Sequence, residues 1–155
     1  MQLTLHTDYA LRVLIYLGQK RGEQATISEI ANFYQISRNH LVKVVHHLAG
    51  TGFIHTTRGK NGGMVLARAP ELISIGDVVL HMEPNFDIVE CFNTANPSCT
   101  ISPVCAIKTL LYKAGREFLA VLDDHSIADA IIENTSGTEQ IFPLEWLDRQ
   151  PTGSR

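Results

Sequence analysis

Three cysteines, Cys91, Cys99 and Cys105, are the only ones in the chain, and they fall within fifteen residues. Seven and then five residues separate them, in a stretch broken by Pro97 and Pro103 and softened by Asn93, Asn96 and Ser98. Thiolates that converge on one soft metal centre need such a loop, because a helix or strand would aim them in fixed, divergent directions. Three thiolates are one short of a closed tetrahedral site. A structural zinc usually shows closely paired Cys-x-x-Cys ligands, absent here, and three nearby thiols also allow a redox disulfide. Buried cysteines acting as small apolar residues would not gather in a Pro/Asn loop.

The elements around that loop must be read from totals and pattern. At 155 residues with 45% hydrophobic content, the chain suits one domain of ordinary size, or a small one with an extension. No apolar run of about 18 residues occurs, so no membrane span is expected. The start lacks the basic flank and apolar core of a secretory signal, which predicts a cytoplasmic protein. The net charge of −3 hides an asymmetry: residues 1–80 carry eight Lys/Arg against five Asp/Glu, and residues 81–155 carry five against eleven. Contact with nucleic acid is therefore expected from the front half.

Residues 7–17 read as a largely buried helix stopped at Gly18. Thr26 with Glu29 forms a capping-box pattern, followed by Ile27, Ile30, Ala31 and Tyr34 at helical spacing. Gln35-Ile36 makes a tight turn, and Ser37 can cap a helix over 38–49 with the stripe Leu41, Val44, Val45, Leu48. Its other face shows Arg38, Asn39, His40, Lys43, His46 and His47, as a recognition helix would, although a solvated face opposite a core stripe looks the same. Two β-prone runs, Phe53–Thr57 and Met64–Arg68, flank Arg58-Gly-Lys-Asn-Gly-Gly63, a hairpin signal with Arg58 and Lys60 at its tip. A basic hairpin after such a helix is the wing of a winged helix, whose glycines permit close approach to a phosphate backbone or narrow minor groove.

Ser74 can cap a short helix from Ile75 to about Met82, closed by Pro84. From about Val104 a long helix is predicted, with Ile107, Leu110, Leu111, Ala114, Phe118, Val121 and Leu122 on one stripe, read as the main dimerisation element. A last short helix, around Ser126 to Glu133, precedes a polar tail expected to be poorly ordered at its end. The fold class is thus mainly α with a small β-hairpin. A winged helix-turn-helix occupies 1–69, a connecting helix and cysteine loop 70–106, a dimerisation helix and short helix 104–133, and a tail 134–155.

One combination is specific: the start Leu3-Thr-Leu-His-Thr-Asp-Tyr-Ala-Leu-Arg12, Ser37-Arg-Asn-His-Leu-Val-Lys43, the wing Arg58 to Gly63, Ile75-Gly-Asp-Val-Val, Met82-Glu-Pro and the three cysteines. It resembles the superfamily of iron–sulfur winged-helix regulators, and within it the nitric-oxide-sensing repressors, over residues 1 to about 133. The resemblance implies a homodimer that binds operator DNA while its cluster is intact and releases it when nitric oxide attacks. Cluster type stays open between 4Fe–4S, which is favoured, and 2Fe–2S. In similar proteins an acidic side chain near the chain start of the other subunit completes the coordination of Cys91, Cys99 and Cys105. The matching residue is Asp8, with Arg12 beside it able to exchange partners. Taken without the resemblance, Asp8 simply favours the helix dipole and pairs with Arg12 at i, i+4. An IscR-like iron–sulfur or thiol-redox-responsive regulator is the alternative; such relatives use a histidine after the cysteines, and none falls between Cys91 and His125.

The expected DNA contacts are Ser37, Arg38, Asn39, His40, Lys43, His47, Arg58 and Lys60. No nucleophile elbow, phosphate loop or His-Glu-x-x-His motif occurs, so no enzyme is expected. An electron carrier would not need the wing.

Overall fold

The computed structural model describes residues 2–60, 62–93, 99–101 and 104–131. Among them are five α-helices and one two-stranded antiparallel hairpin, in the order α1 (Leu5–Gln19), α2 (Ile27–Tyr34), α3 (Arg38–Gly50), β1 (Ile54–Thr57), β2 (Gly63–Leu66), α4 (Ile75–Met82) and α5 (Ala106–Asp123). Short 3-10 turns cover Pro70–Leu72, Glu90–Phe92 and Ala128–Ala130. The mainly helical class with a small hairpin is as expected from the sequence. The final helix expected from Ser126 is only this last turn within the described residues. The remainder of that expected helix and the tail from 134 lie outside them, as does Asn61 of the hairpin tip.

Local chemistry explains the boundaries. Helix α1 begins two residues earlier than its apolar pattern suggests because Thr4 caps it, its side chain accepting the Thr7 N–H at 3.3 Å. It also runs through Gly18 to Gln19. Gly18 is there for space, not as a stop: a Cβ would stand 2.6 Å from the tip of Ile131. The capping box of α2 forms as predicted, Thr26 accepting from the Glu29 N–H and Glu29 from the Thr26 N–H. Gln35 then closes α2 in the left-handed conformation, φ 55°. Ser37 does hold the N-cap position of α3, yet its side chain makes no capping hydrogen bond.

One apolar core joins these pieces. Ala10, Val13, Leu14 and Leu17 of α1 meet Ile30 of α2, the predicted α3 stripe Leu41, Val44, Val45 and Leu48, and Phe53, Ile54 and Met64 around the hairpin. Ile73, Val78, Met82 and Ile127 complete the same cluster. The hairpin is in register from Ile54 opposite Leu66 to Thr57 opposite Gly63, and β2 also bridges Ala25, just before α2. At the hairpin's turn, a Cβ on Gly62 would collide with the Thr57 carbonyl, and Gly59 has φ 112°, so the turn needs both glycines.

Helix α5 is stitched to the start of α4 at its far end. The Ile75 N–H donates to the His125 carbonyl at 2.9 Å, the Ile127 N–H to that of Ile73 at 2.8 Å, and the Ser74 hydroxyl to Asp123 at 3.0 Å. Its apolar residues divide over two faces rather than one stripe. Leu111, Phe118 and Leu122 are half-buried against their own subunit, while Ile107, Leu110, Ala114 and Val121 are exposed. The exposed four recur at spacings of three, four and seven, so they lie along one face of the helix.

Two contacts yield direct tests. A Cβ on Gly76 would strike the Asp123 carboxylate and stand 2.8 Å from the Asp123 backbone nitrogen, so it meets main chain that cannot swing aside. Gly76→Ala is expected to cost about 1–3 kcal/mol and to lower the melting temperature by roughly 3–10 °C by calorimetry. The His6 Nε2 stands 3.0 Å from the His47 Nδ1, joining α1 to α3, and one ring must donate while the other accepts. Burial, then the facing His47, holds His6 below its ordinary value of 6.5, with Glu83 opposing. The unfolded chain therefore binds more protons just below pH 6.5. This contribution to stability is complete above that pH and is lost as pH falls toward the folded value. Thermal melts from pH 7.5 to 5 should decline in that window, and His6→Asn should remove part of the slope.

Candidate cluster site and nucleic-acid interface

None of the three cysteines belongs to the core. Cys91 is the middle residue of the Glu90–Phe92 turn and is half-buried, Cys99 is exposed, and Cys105 is half-buried at the N-cap position of α5. All three are free thiols. The turn around Cys91 is held against α5 by Phe92, whose ring lies 6.5 Å from that of Tyr112. Ile88 likewise packs where Gly115 leaves room. Phe92 and Cys105 line one groove of about 990 Å³ between the chain start, residues 83–92 and α5. Among the described residues, no three His, Cys, Asp or Glu side chains of the single chain stand close enough to hold a metal. The donors are nonetheless chemically suited to iron–sulfur ligation: three soft thiols, none in a disulfide and none packed away in the core. Residues 94–98, 102 and 103 of the loop lie outside the described ones.

Asp8 and Arg12 occupy the solvent side of α1's first turns. Arg12 grips the carboxylate twice, Nη2 to Oδ2 at 2.8 Å and Nε to Oδ1 at 3.1 Å, both side chains being about two-fifths exposed. The guanidinium also lies over Tyr9 and Tyr34, 6.0 and 5.8 Å from their ring centroids. Within one chain Asp8 is thus an i, i+4 ion-pair partner.

Two residues that pattern reading overlooks hold the start of α1 in place. The Glu83 carboxylate, at the C-cap of α4, accepts the Thr4 N–H at 2.8 Å and the Thr4 hydroxyl at 3.0 Å. Glu83 lies at the head of the segment that leads to Cys91, so α1 is pinned to the root of the cysteine segment. Seventy-nine residues separate the partners, and no local signal announces such a bond. A capping threonine one position before Leu5 was the available clue at the other end.

The expected DNA-reading residues divide into two groups. Ser37, Arg38, Asn39 and Lys43 are exposed along α3, with Val42 and His46 beside them, and Arg58 and Lys60 are exposed on the hairpin. The two remaining histidines have partners on α1. His40 is exposed but stacks on Tyr9 with centroids 6.4 Å apart, and His47 is half-buried in its bond to His6. The uncapped Ser37 hydroxyl sits at the entrance of α3, where hydroxyls commonly meet phosphate.

Residues 3–133 match the Rrf2 family, described as iron-dependent transcriptional regulators. The chain is 48% identical over 133 residues to the HTH-type transcriptional regulator NsrR of Bacillus licheniformis, covering 85% of this chain and 93% of that protein. It is 48% identical over 132 residues to NsrR of Bacillus subtilis, covering 84% and 90%. The structure of CymR, the global cysteine regulator of B. subtilis, superposes with a TM-score of 0.67 at 25% identity, covering 84% of this chain and 95% of that one. The resemblance read from the motifs is thereby borne out, and the winged-helix fold with it. The protein regulates transcription and is not an enzyme. No helix among the described residues is long and apolar enough to cross a membrane. By sequence and by architecture, this chain belongs to the Rrf2 family of iron-dependent transcriptional regulators.

Proposed function

We propose that the protein is a homodimeric repressor that holds operator DNA while an iron–sulfur cluster is intact, and releases it on exposure to nitric oxide. Residues 1–69 form the reading head, 70–106 the connecting helix and cluster loop, and 104–133 the dimerisation segment. Cys91, Cys99 and Cys105 hold the cluster, 4Fe–4S in preference to 2Fe–2S, and Asp8 of the partner subunit supplies the fourth ligand. The observation that carries this reading is the set of three unpaired thiols outside the core, flanking the start of a helix whose apolar seam is uncovered. The iron-dependent family and the relatives named NsrR support it.

When bound, the cluster supplies an iron whose oxygen ligand is harder and more easily displaced than a thiolate, hence open to a small diatomic molecule. The chain's own residues do the rest. Arg12 orients the Asp8 carboxylate and retains it whenever it is not a ligand. Helix α1 carries that carboxylate and packs against α3, so ligation across the dimer fixes one recognition helix relative to the other. Glu83 anchors the cap of α1 to the base of the cysteine segment of its own subunit, which gives the tie a second route. Arg58 and Lys60 neutralise phosphates while α3 reads base edges.

Anaerobic purification should give a brown protein whose visible spectrum is bleached by nitric oxide, and whose operator affinity falls when the cluster is removed. Equal affinity of loaded and cluster-free protein would sink the coupling, and a colourless protein with stoichiometric zinc would sink the cofactor. Asp8→Ala should alter the spectrum and its response to nitric oxide; an unchanged response would strike Asp8 from the ligands. Replacing Arg58 and Lys60 by Ala should weaken binding to all sequences alike and reduce the slope of log affinity against log salt by about 1 per cation.

A further inference from the structure

We propose that Val42 reads the 5-methyl group of a thymine in the major groove. The inference rests on the DNA-reading function above and assigns one element of its specificity.

Helix α3 buries Leu41, Val44, Val45 and Leu48, while His40 stacks on Tyr9 and His47 bonds to His6. The exposed face left over consists of Arg38, Asn39, Val42, Lys43 and His46. Their spacing is i, i+1, i+4, i+5 and i+8, so they form one continuous strip along the helix. Four of the five can form hydrogen bonds; Val42 cannot. It is 42% exposed, and among the described residues it is the only large apolar side chain exposed anywhere on α3 or the hairpin. Single exposed apolar residues are ordinary on protein surfaces. This one lies in the first half of a recognition helix, the part that meets base edges in helix-turn-helix docking. It stands between Arg38 and Asn39 on one side and His46 on the other, with Lys43 adjacent.

The chemistry of the groove selects its partner. Base edges there offer hydrogen-bond donors and acceptors at every pair, and one apolar feature, the thymine methyl. A β-branched side chain set on a helix has a stiff χ1, so its two methyl groups are already placed before docking and lose little freedom on contact. The exposed cations of the two elements, Arg38 and Lys43 on α3 with Arg58 and Lys60 on the hairpin, match the charge of the duplex that would bring the methyl there. Asn39 and Arg38, one turn earlier, are of the types that pair with adenine and guanine.

The test uses anaerobically purified protein and the duplex it enriches from a random-sequence pool. Each thymine of that duplex is replaced singly by deoxyuridine, which removes only the 5-methyl group, and affinities are compared for the wild-type protein and Val42→Ala. At one thymine of each half-site the replacement should weaken wild-type binding about fourfold, the worth of one buried methyl. The same replacement should leave Val42→Ala unchanged, and every other thymine should behave alike in both proteins. Because Val42 is exposed, an unaltered melting temperature verifies that the variant folds. Deoxyuridine costs that are equal in the two proteins at every position overturn the assignment of Val42 and leave the DNA-reading function standing. Failure to enrich any duplex overturns both.

Discussion

The burial of α1 is the constraint on which the other elements depend. Ala10, Val13, Leu14 and Leu17 are removed from solvent on a single helix that touches α3, α4, β2 and the Ala128–Ala130 turn. Each of the buried valine and leucine side chains contributes about 1.5–3 kcal/mol, so the helix is a principal seat of stability as well as the hub of contacts. Its polar edge does different work. Thr4 at its N-cap and His6, Asp8 and Arg12 on its first two turns reach, in order, the C-cap of α4, α3, and one another. The helix is thus fixed on its apolar side while its polar edge lies at the surface.

Most of the architecture was legible because it follows from local rules. The capping box at Thr26, the α3 stripe, the glycine-rich turn and the Ser74 cap each involve residues within a few positions of one another. Reading failed where a residue answered to a distant neighbour. Gly18 looked like a stop and is a clearance for Ile131, while Ser37 had the right type and position but its side chain makes no capping hydrogen bond. The stripe on α5 merged two faces because helical spacing alone does not say which side meets its own subunit.

The candidate site residues stood out one by one, but not their connections. Three thiols among prolines and asparagines suggested soft-ligand chemistry, and the cations between residues 38 and 60 suggested contact with phosphate. The bonds that join these regions were hidden. Glu83 reads as an ordinary acid before a proline, and His6 and His47 as two among seven histidines. Only the folded chain brings them to Thr4 and to one another.

The bridge between Ala25 and Met64 has its own consequence. Two backbone hydrogen bonds, 2.8 and 3.1 Å long, fasten the hairpin to the residue that precedes the capping box of α2. Helix α2, α3 and the hairpin are therefore tied to one another by main-chain bonds as well as by the shared apolar core. In the homodimer proposed above, control would then act on the distance and angle between the two heads rather than on their shape, as callipers measure by opening rather than by bending their points.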